Sequence, residues 1–175
     1  MTMDLLSLIP DPCPWCGHPR KVSCQHQRTC RSQDDSHEIP TEIVPGLWVG
    51  SVMSRPDPRF VAVVTILSPG EMHWAMGAKI ADPPGAWHVI NHGDHEPGLV
   101  AHGPGAWSFI DLHKARGPVL VHCGAGASRS PTIMAGYLIT RMSLSLTEAM
   151  AKLFVRPQVM HIWPGYLQEL GDLRT

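Results

Sequence analysis

The 175-residue chain is predicted to fold as an α/β domain, a mostly parallel central sheet flanked by helices. Three features of the sequence point there. Residues 60–67 form a continuous apolar run rich in valine, the mark of a strand buried on both faces. Residues 119–121 form a second apolar run, which passes through a loop of small residues into a helix start at Ser130-Pro131. Beyond that point the apolar pattern is helical. Buried parallel strands followed by a run of helices give a sheet covered by helices.

The elements follow in chain order. From residue 10 to residue 38 the chain is rich in Pro, Cys, His and charge, without helical or alternating pattern. It therefore divides into a Cys/His-rich segment, 1–38, and a regular domain, 39–175. Residues 41–44 and 47–50 read as short strands around a Pro45-Gly46 turn. Residues 60–67 are the buried strand, and 87–90 a further one entered from Pro83-Pro84-Gly85. Residues 104–116 read as a helix started by a proline and stopped by Gly117. The strand 119–122 and a helix from Pro131 to about Arg141 come next. Ser145 and Glu148 have capping-box spacing. Leu146, Ala149, Met150, Leu153 and Phe154 then recur on one helical face. Arg156-Pro157 ends that helix, and Pro164 opens a last short one carrying Tyr166, Leu167 and Leu170. No internal repeat or low-complexity tract is present.

Charge narrows the functional classes. With 14 basic and 15 acidic side chains the net charge is -1. Such a balance exerts no long-range pull on nucleic acid or an anionic membrane. No nucleic-acid partner is expected. No apolar run approaches the ~20 residues that span a bilayer. The start, Met-Thr-Met-Asp-Leu-Leu-Ser-Leu-Ile-Pro, lacks the basic flank of a secretory signal. A soluble cytoplasmic protein without a membrane partner is expected.

The chemistry concentrates in residues 119–132, Val-Leu-Val-His-Cys-Gly-Ala-Gly-Ala-Ser-Arg-Ser-Pro-Thr. A strand, a tight loop and a helix start make an anion cradle. The backbone amides of Gly124, Ala125, Gly126, Ala127 and Ser128 supply donors, and the helix dipole adds partial positive charge. A cysteine at the mouth of such a cradle, Cys123, is expected to ionise. Arg129 closes the loop with a planar fork that suits a phosphate. The pattern places a nucleophile beside a phosphate-sized hole.

This stretch is similar to the signature loop of the cysteine-dependent protein tyrosine phosphatase superfamily. It most resembles the dual-specificity branch, whose His-Cys-x-Ala-Gly-x-Ser-Arg-Ser is matched at His122, Cys123, Ala125, Gly126, Ser128, Arg129 and Ser130. The resemblance extends over about residues 40–173, with Ile-Val-Pro-Gly-Leu-Trp-Val-Gly-Ser at 43–51 and Arg156-Pro157 as further matches. It implies a protein tyrosine phosphatase-like fold. It also implies hydrolysis of phosphate from Tyr and Ser/Thr side chains of a phosphorylated protein, through a cysteinyl-phosphate, with no cofactor for catalysis. Cys123 is then the nucleophile, and Arg129 with the amides of 124–129 is the clamp. Ser130 matches the hydroxyl that assists departure of the sulfur, and a plain N-cap is an equal reading of it. His122 either helps keep the sulfur ionised or only fixes loop geometry.

The family's general acid is an aspartate on a loop about 30 residues before the cysteine. Asp94 stands 29 positions before Cys123, just after the 87–90 strand. Asp82 comes too early, and Asp111 lies inside a predicted helix. His92 and His95 flank Asp94 and read as exposed polar residues rather than metal ligands. Gly124 and Ala127 bring no lysine into the loop, which argues against inositol lipids. Two other readings use the same loop. One is a phosphate-binding adaptor without catalysis, against which an intact Cys123, Arg129 and Asp94 count. The other is an RNA 5′-triphosphatase-type enzyme, against which the charge balance counts.

Four of the 5 cysteines remain: Cys13, Cys16, Cys24 and Cys30. Cys13-Pro-Trp-Cys16 has the spacing of a zinc knuckle or a redox pair. Cys24 and Cys30 are spaced differently, with His18 and His26 nearby. A structural zinc held by the four cysteines would tie down a segment too small to fold alone. That is the reading adopted. A redox pair, disulfides or free thiols stay open.

Overall fold

Five strands form one sheet in the order β1-β2-β5-β3-β4. They are β1 (Thr41–Val44), β2 (Leu47–Ser51), β3 (Ala62–Leu67), β4 (Ala86–Asn91) and β5 (Val119–Cys123). The computed structural model describes residues 39–77, 82–83, 85–156 and 161–174. The Cys/His-rich segment and its zinc reading lie outside them. β2, β5, β3 and β4 are parallel, and only β1 pairs antiparallel, with β2. The turn between β1 and β2 needs Gly46, whose φ of 79° L side chains rarely adopt. Its N–H donates to Glu42 Oε1 at 2.7 Å.

The valine-rich runs are central because they have no wet face. Every residue of β3 and of β5 is buried. In register, side chains alternate between the two faces of the sheet. Ala62, Val64, Ile66, Val119 and Val121 join the main core. On the other face Val63 and Leu120 pack with Phe60, and Leu67 packs with Val52 and Ala75. That face also holds two buried polar residues, Thr65 and His122, which are direct register partners. β4 forms the edge beyond β3, and its Trp87 and Val89 are partly exposed.

Five α-helices complete the described chain: α1 (Pro69–Gly77), α2 (Gly103–His113), α3 (Arg129–Arg141), α4 (Leu146–Leu153) and α5 (Pro164–Gly171). α3 is buried continuously from Arg129 to Ile139, because it lies against the sheet with other helices around it. α4 begins with the expected reciprocal capping box: Glu148 N–H donates to Ser145 Oγ at 3.2 Å, and Ser145 N–H to Glu148 Oε2 at 2.7 Å. Among the described residues no helix is long and apolar enough to cross a membrane.

Two elements differ from expectation. α1 has no apolar stripe that would announce it. It starts instead on a second capping box, Ser68 with Glu71, where Ser68 N–H donates to Glu71 Oε2 at 2.8 Å and Glu71 N–H to Ser68 Oγ at 3.3 Å. α3 begins at Arg129, two residues before Pro131, so Ser130 lies inside the helix and is not its N-cap. Ser128 holds that position, and its side chain accepts instead from Trp163 N–H at 3.2 Å.

α2 and α3 are locked by Trp107, whose Nε1–H donates to the Ile133 carbonyl at 3.0 Å. The indole ring fills the space over Gly136, where an added Cβ would meet Trp107 Cζ2 at 2.4 Å. Alanine at 136 would gain roughly 1 kcal/mol of helix propensity, but the pinned ring cannot retreat. Gly136→Ala is therefore expected to lower stability by about 1–2 kcal/mol, measured by urea unfolding. A midpoint at or above wild type would show that the ring yields.

Candidate active site

The loop 124–128 joins the end of β5 to the start of α3. Its shape is set by carbonyls bonded from outside. The Cys123 carbonyl faces His122 Nδ1 at 3.2 Å. The Gly124 carbonyl accepts from Val52 N–H at 3.2 Å. The Gly126 carbonyl accepts from Arg156 Nε at 3.0 Å. In a planar trans peptide the following N–H points the opposite way. The N–H groups of Gly124, Ala125 and Ala127 are thereby turned toward the loop interior, the arrangement of an anion-binding nest. The turn demands glycine at 126, where φ is 72° and a Cβ would lie 2.5 Å from the Gly50 carbonyl oxygen.

Cys123, the last residue of β5, is 2% exposed. Ser130 Oγ donates to its Sγ at 3.3 Å. Ser130 therefore does not act as the N-cap; its hydroxyl points to the sulfur and not to the helix end. His122 is fully buried, and its Nε2 lies 2.7 Å from Thr65 Oγ1. Burial pushes its imidazole down to about 3, reinforced by the charges of Arg55 and Arg129, so the ring is neutral.

Arg129 is 3% exposed and its end is fully engaged. Nη1 and Nη2 each donate to a different oxygen of Glu71 at 2.6 Å, and Nη1 also donates to the His92 carbonyl at 3.0 Å. Its Nε, also buried, has no hydrogen-bond partner among the described residues. Burial opposes the Arg129 charge, but the Glu71 hydrogen bonds and the charges of Cys123, Glu71 and Asp94 outweigh it and raise its pKa. Glu71 therefore fixes the guanidinium end-on and leaves the Nε edge for an anion. Glycine at 124 suits this arrangement, because a Cβ there would crowd Glu71 Oε1 at 3.0 Å.

Asp94 Oδ1 stands 3.6 Å from that Nε, on the loop after β4 and 46% exposed. The loop is anchored at several points. His92 Nε2 lies 2.9 Å from the Glu96 carbonyl, and Gly93 N–H donates to Glu96 Oε2 at 3.1 Å. Tyr166 Oη donates to the Gly93 carbonyl at 3.2 Å. Glu169 of α5 accepts from Gly98 N–H and Val100 N–H at 2.8 and 2.9 Å. His92 is accordingly buried, contrary to the expectation of an exposed residue, while His95 is exposed. Asp111 is committed elsewhere, to Tyr137, Lys114 and Arg141.

The structure thus gathers His122, Cys123, the 124–128 amides, Arg129, Ser130 and Asp94 in one place. Glu71, Thr65 and Arg156 belong to the same place, and local sequence pattern assigns them no such part. The Ser-Pro-Gly-Glu capping signature could have marked α1, but not the target of its glutamate. Among the described residues no group of three or more His, Cys, Asp or Glu side chains could hold a metal ion.

Residues 88–174 match the family model described as dual specificity phosphatase, catalytic domain. Dual specificity protein phosphatase 1B of Arabidopsis thaliana is 30% identical over 132 residues, covering 74% of this chain and 78% of that protein. Dual specificity protein phosphatase Mpk3 of Drosophila melanogaster is 31% identical over 140 residues, covering 74% of this chain and 32% of that protein. The chain spans about a third of the length of this fly relative and of the rat dual specificity protein phosphatase 5, 32% and 34%. Among solved structures, the human tyrosine phosphatase-like serine/threonine/tyrosine-interacting protein superposes with a TM-score of 0.65 at 22% identity, covering 77% of this chain and 95% of that one. Human DUSP28 gives 0.64 at 20% identity, covering 78% and 95%. At these identities the structural likeness speaks for the fold.

Burial would raise the Glu71 carboxyl, but hydrogen bonds from Arg129 and Ser68 hold it below its ordinary 4.5. A carboxylate lowered on folding stabilises fully above its ordinary value and loses that contribution as pH falls through the lowered one. Glu71→Gln is expected to cost about 1 kcal/mol at neutral pH, roughly 4 °C in Tm, with the gap closing in acid below that window. Inorganic phosphate should narrow the gap by giving Arg129 an anion. Equal melting points at neutral pH would show that the pair holds nothing.

Proposed function

The chain belongs to the dual specificity phosphatase family, and from that premise we propose that it hydrolyses phosphate monoesters on tyrosine and serine or threonine side chains of phosphorylated proteins. The observation that carries the proposal is the Arg129 side chain: end-on to Glu71, with its buried Nε making no hydrogen bond among the described residues and facing Asp94 Oδ1 at 3.6 Å, within the field of Cys123. A phosphoryl group between the sulfur and Asp94 would accept from the Nε edge and from the inward N–H groups of Gly124, Ala125 and Ala127.

In the first step the Cys123 thiolate attacks phosphorus. The bond to the leaving oxygen breaks, and Asp94, protonated, gives that oxygen its proton. In the second step water attacks the cysteinyl-phosphate. Asp94 takes the water's proton, and the sulfur leaves as thiolate, stabilised by the Ser130 hydroxyl. No metal takes part. A pure phosphate binder would have no use for the Ser130 contact with the sulfur. A thiolate nucleophile suits a reducing compartment, so the cytoplasm is the proposed location. The segment 1–38 is proposed to hold one structural zinc through Cys13, Cys16, Cys24 and Cys30.

Cys123→Ser is expected to abolish turnover of phosphopeptides and aryl phosphates, and Arg129→Lys to fail for want of a two-pronged donor. Asp94→Asn should slow a phosphoserine peptide by about 10²-fold, and an activated aryl phosphate far less. Turnover persisting in Cys123→Ser would refute the nucleophile. Phosphoinositides or RNA 5′-triphosphate turned over faster than phosphopeptides would refute the substrate class. Elemental analysis of chelator-free full-length protein should find about one zinc per chain, lost in Cys13→Ser/Cys16→Ser. Metal-free protein with four titrating thiols would refute the site.

A further inference from the structure

We propose that Thr65 and Trp87 are positioning residues for the reaction at Cys123, forming with His122 a hydrogen-bond relay of fixed polarity that orients the peptide following the nucleophile. This assignment rests on Cys123 being the nucleophile. Trp87 Nε1 lies 2.8 Å from Thr65 Oγ1, Thr65 Oγ1 lies 2.7 Å from His122 Nε2, and His122 Nδ1 lies 3.2 Å from the Cys123 carbonyl oxygen.

The direction of every bond follows from the two ends. An indole N–H can only donate, and a carbonyl oxygen can only accept. The imidazole is neutral and carries one proton, which the Cys123 carbonyl draws to Nδ1. Nε2 is then a bare acceptor and takes the Thr65 hydroxyl proton. The hydroxyl oxygen in turn receives the indole N–H. No other arrangement satisfies all four groups, and bonds in such a chain polarise one another. Register builds the chain: Thr65 is the β3 partner of His122 on β5, and Trp87 on β4 is the partner of Val63, two residues from Thr65 on the same face.

The relay matters because of where it ends. A donor on the Cys123 carbonyl fixes the Cys123–Gly124 peptide plane and so keeps the Gly124 N–H turned into the cradle. The charged groups facing His122 are Arg55 and Arg129. Arg55, from the turn after β2, also stacks over the Trp87 ring at 5.6 Å. The groups facing Cys123 are Arg129, Arg156 and the Ser130 hydroxyl. These all remain when the relay is cut, so a change at the sulfur reports the relay itself.

The test is the rate of Cys123 alkylation by iodoacetamide in the full chain, followed by peptide mass spectrometry from mildly acidic to neutral pH, beside thermal melting. Thr65→Val should slow alkylation about fivefold, the weight of one hydrogen bond, and move the profile to higher pH. Thr65→Ser should restore it. Trp87→Phe should shift it the same way by a smaller factor. A Thr65→Val profile coinciding with wild type, or Thr65→Ser as slow as Thr65→Val, would overturn the relay. If Thr65→Val does not fold, Trp87→Phe decides alone, and coincidence with wild type overturns it. Turnover surviving in Cys123→Ser would sink the nucleophile assignment, whereas these profiles sink only the relay.

Discussion

The cradle exists because the carbonyls of residues 123, 124 and 126 are each held by a group outside the loop. The backbone of a tight loop has no ladder to fix its peptide planes, so each plane needs its own outside partner. His122 takes the first, Val52 the second and Arg156 the third. Each comes from a different part of the chain. Arg156 also donates to the Ile39 carbonyl and to Thr41 Oγ1, so a single guanidinium ties the loop to the start of the sheet. Without these bonds the amides would have no common direction, and the small residues of the loop would be free to turn them toward solvent.

Three buried arginines surround the cradle, and they are not equivalent. Burial lowers the pKa of Arg55 and of Arg156. Arg129 alone is raised, because Glu71 meets it with two short charge-assisted bonds. Arg55 has a longer ion pair, Nη2 to Asp82 Oδ1 at 3.6 Å, and Arg156 is held by the Gly126 and Ile39 carbonyls and Thr41 Oγ1. A buried cation is strongly destabilising when its ionic partner is removed. Glu71 thus balances the buried Arg129 cation beside the loop. By taking the far end of the fork, it also decides which edge remains. Its own position follows from the capping box that starts α1.

The loop that carries Asp94 is also held from outside. Asp94 is exposed, but the backbone on either side of it is bonded to Tyr166 and Glu169 of α5 and to Glu96 and His92. That bracing holds the Asp94 carboxyl beside the cradle, with Oδ1 3.6 Å from Arg129 Nε. The last helix therefore belongs to the site, although none of its residues touches Cys123 in the described contacts.

What the sequence determined by itself is what is local in it. The strand, the small-residue loop and the helix start lie within fourteen consecutive residues, 119–132. Their chemistry is written by neighbours, so Cys123, Arg129 and the amides between them were legible, as were the buried strands and the capping box of α4. Asp94 was legible only through family likeness, since an aspartate between two histidines carries no signal of its own. Ser130 looked like a cap because a serine before a proline is one locally; that its hydroxyl reaches sulfur depends on α3 starting two residues earlier. Glu71 lies 58 residues from Arg129, Thr65 57 from His122, and Arg156 115 from Thr41. No pattern within a turn or a strand can encode such pairs. They arise when parallel pairing sets β3 beside β5, a register fixed by which side chains each face must bury, and only the tertiary structure decides that.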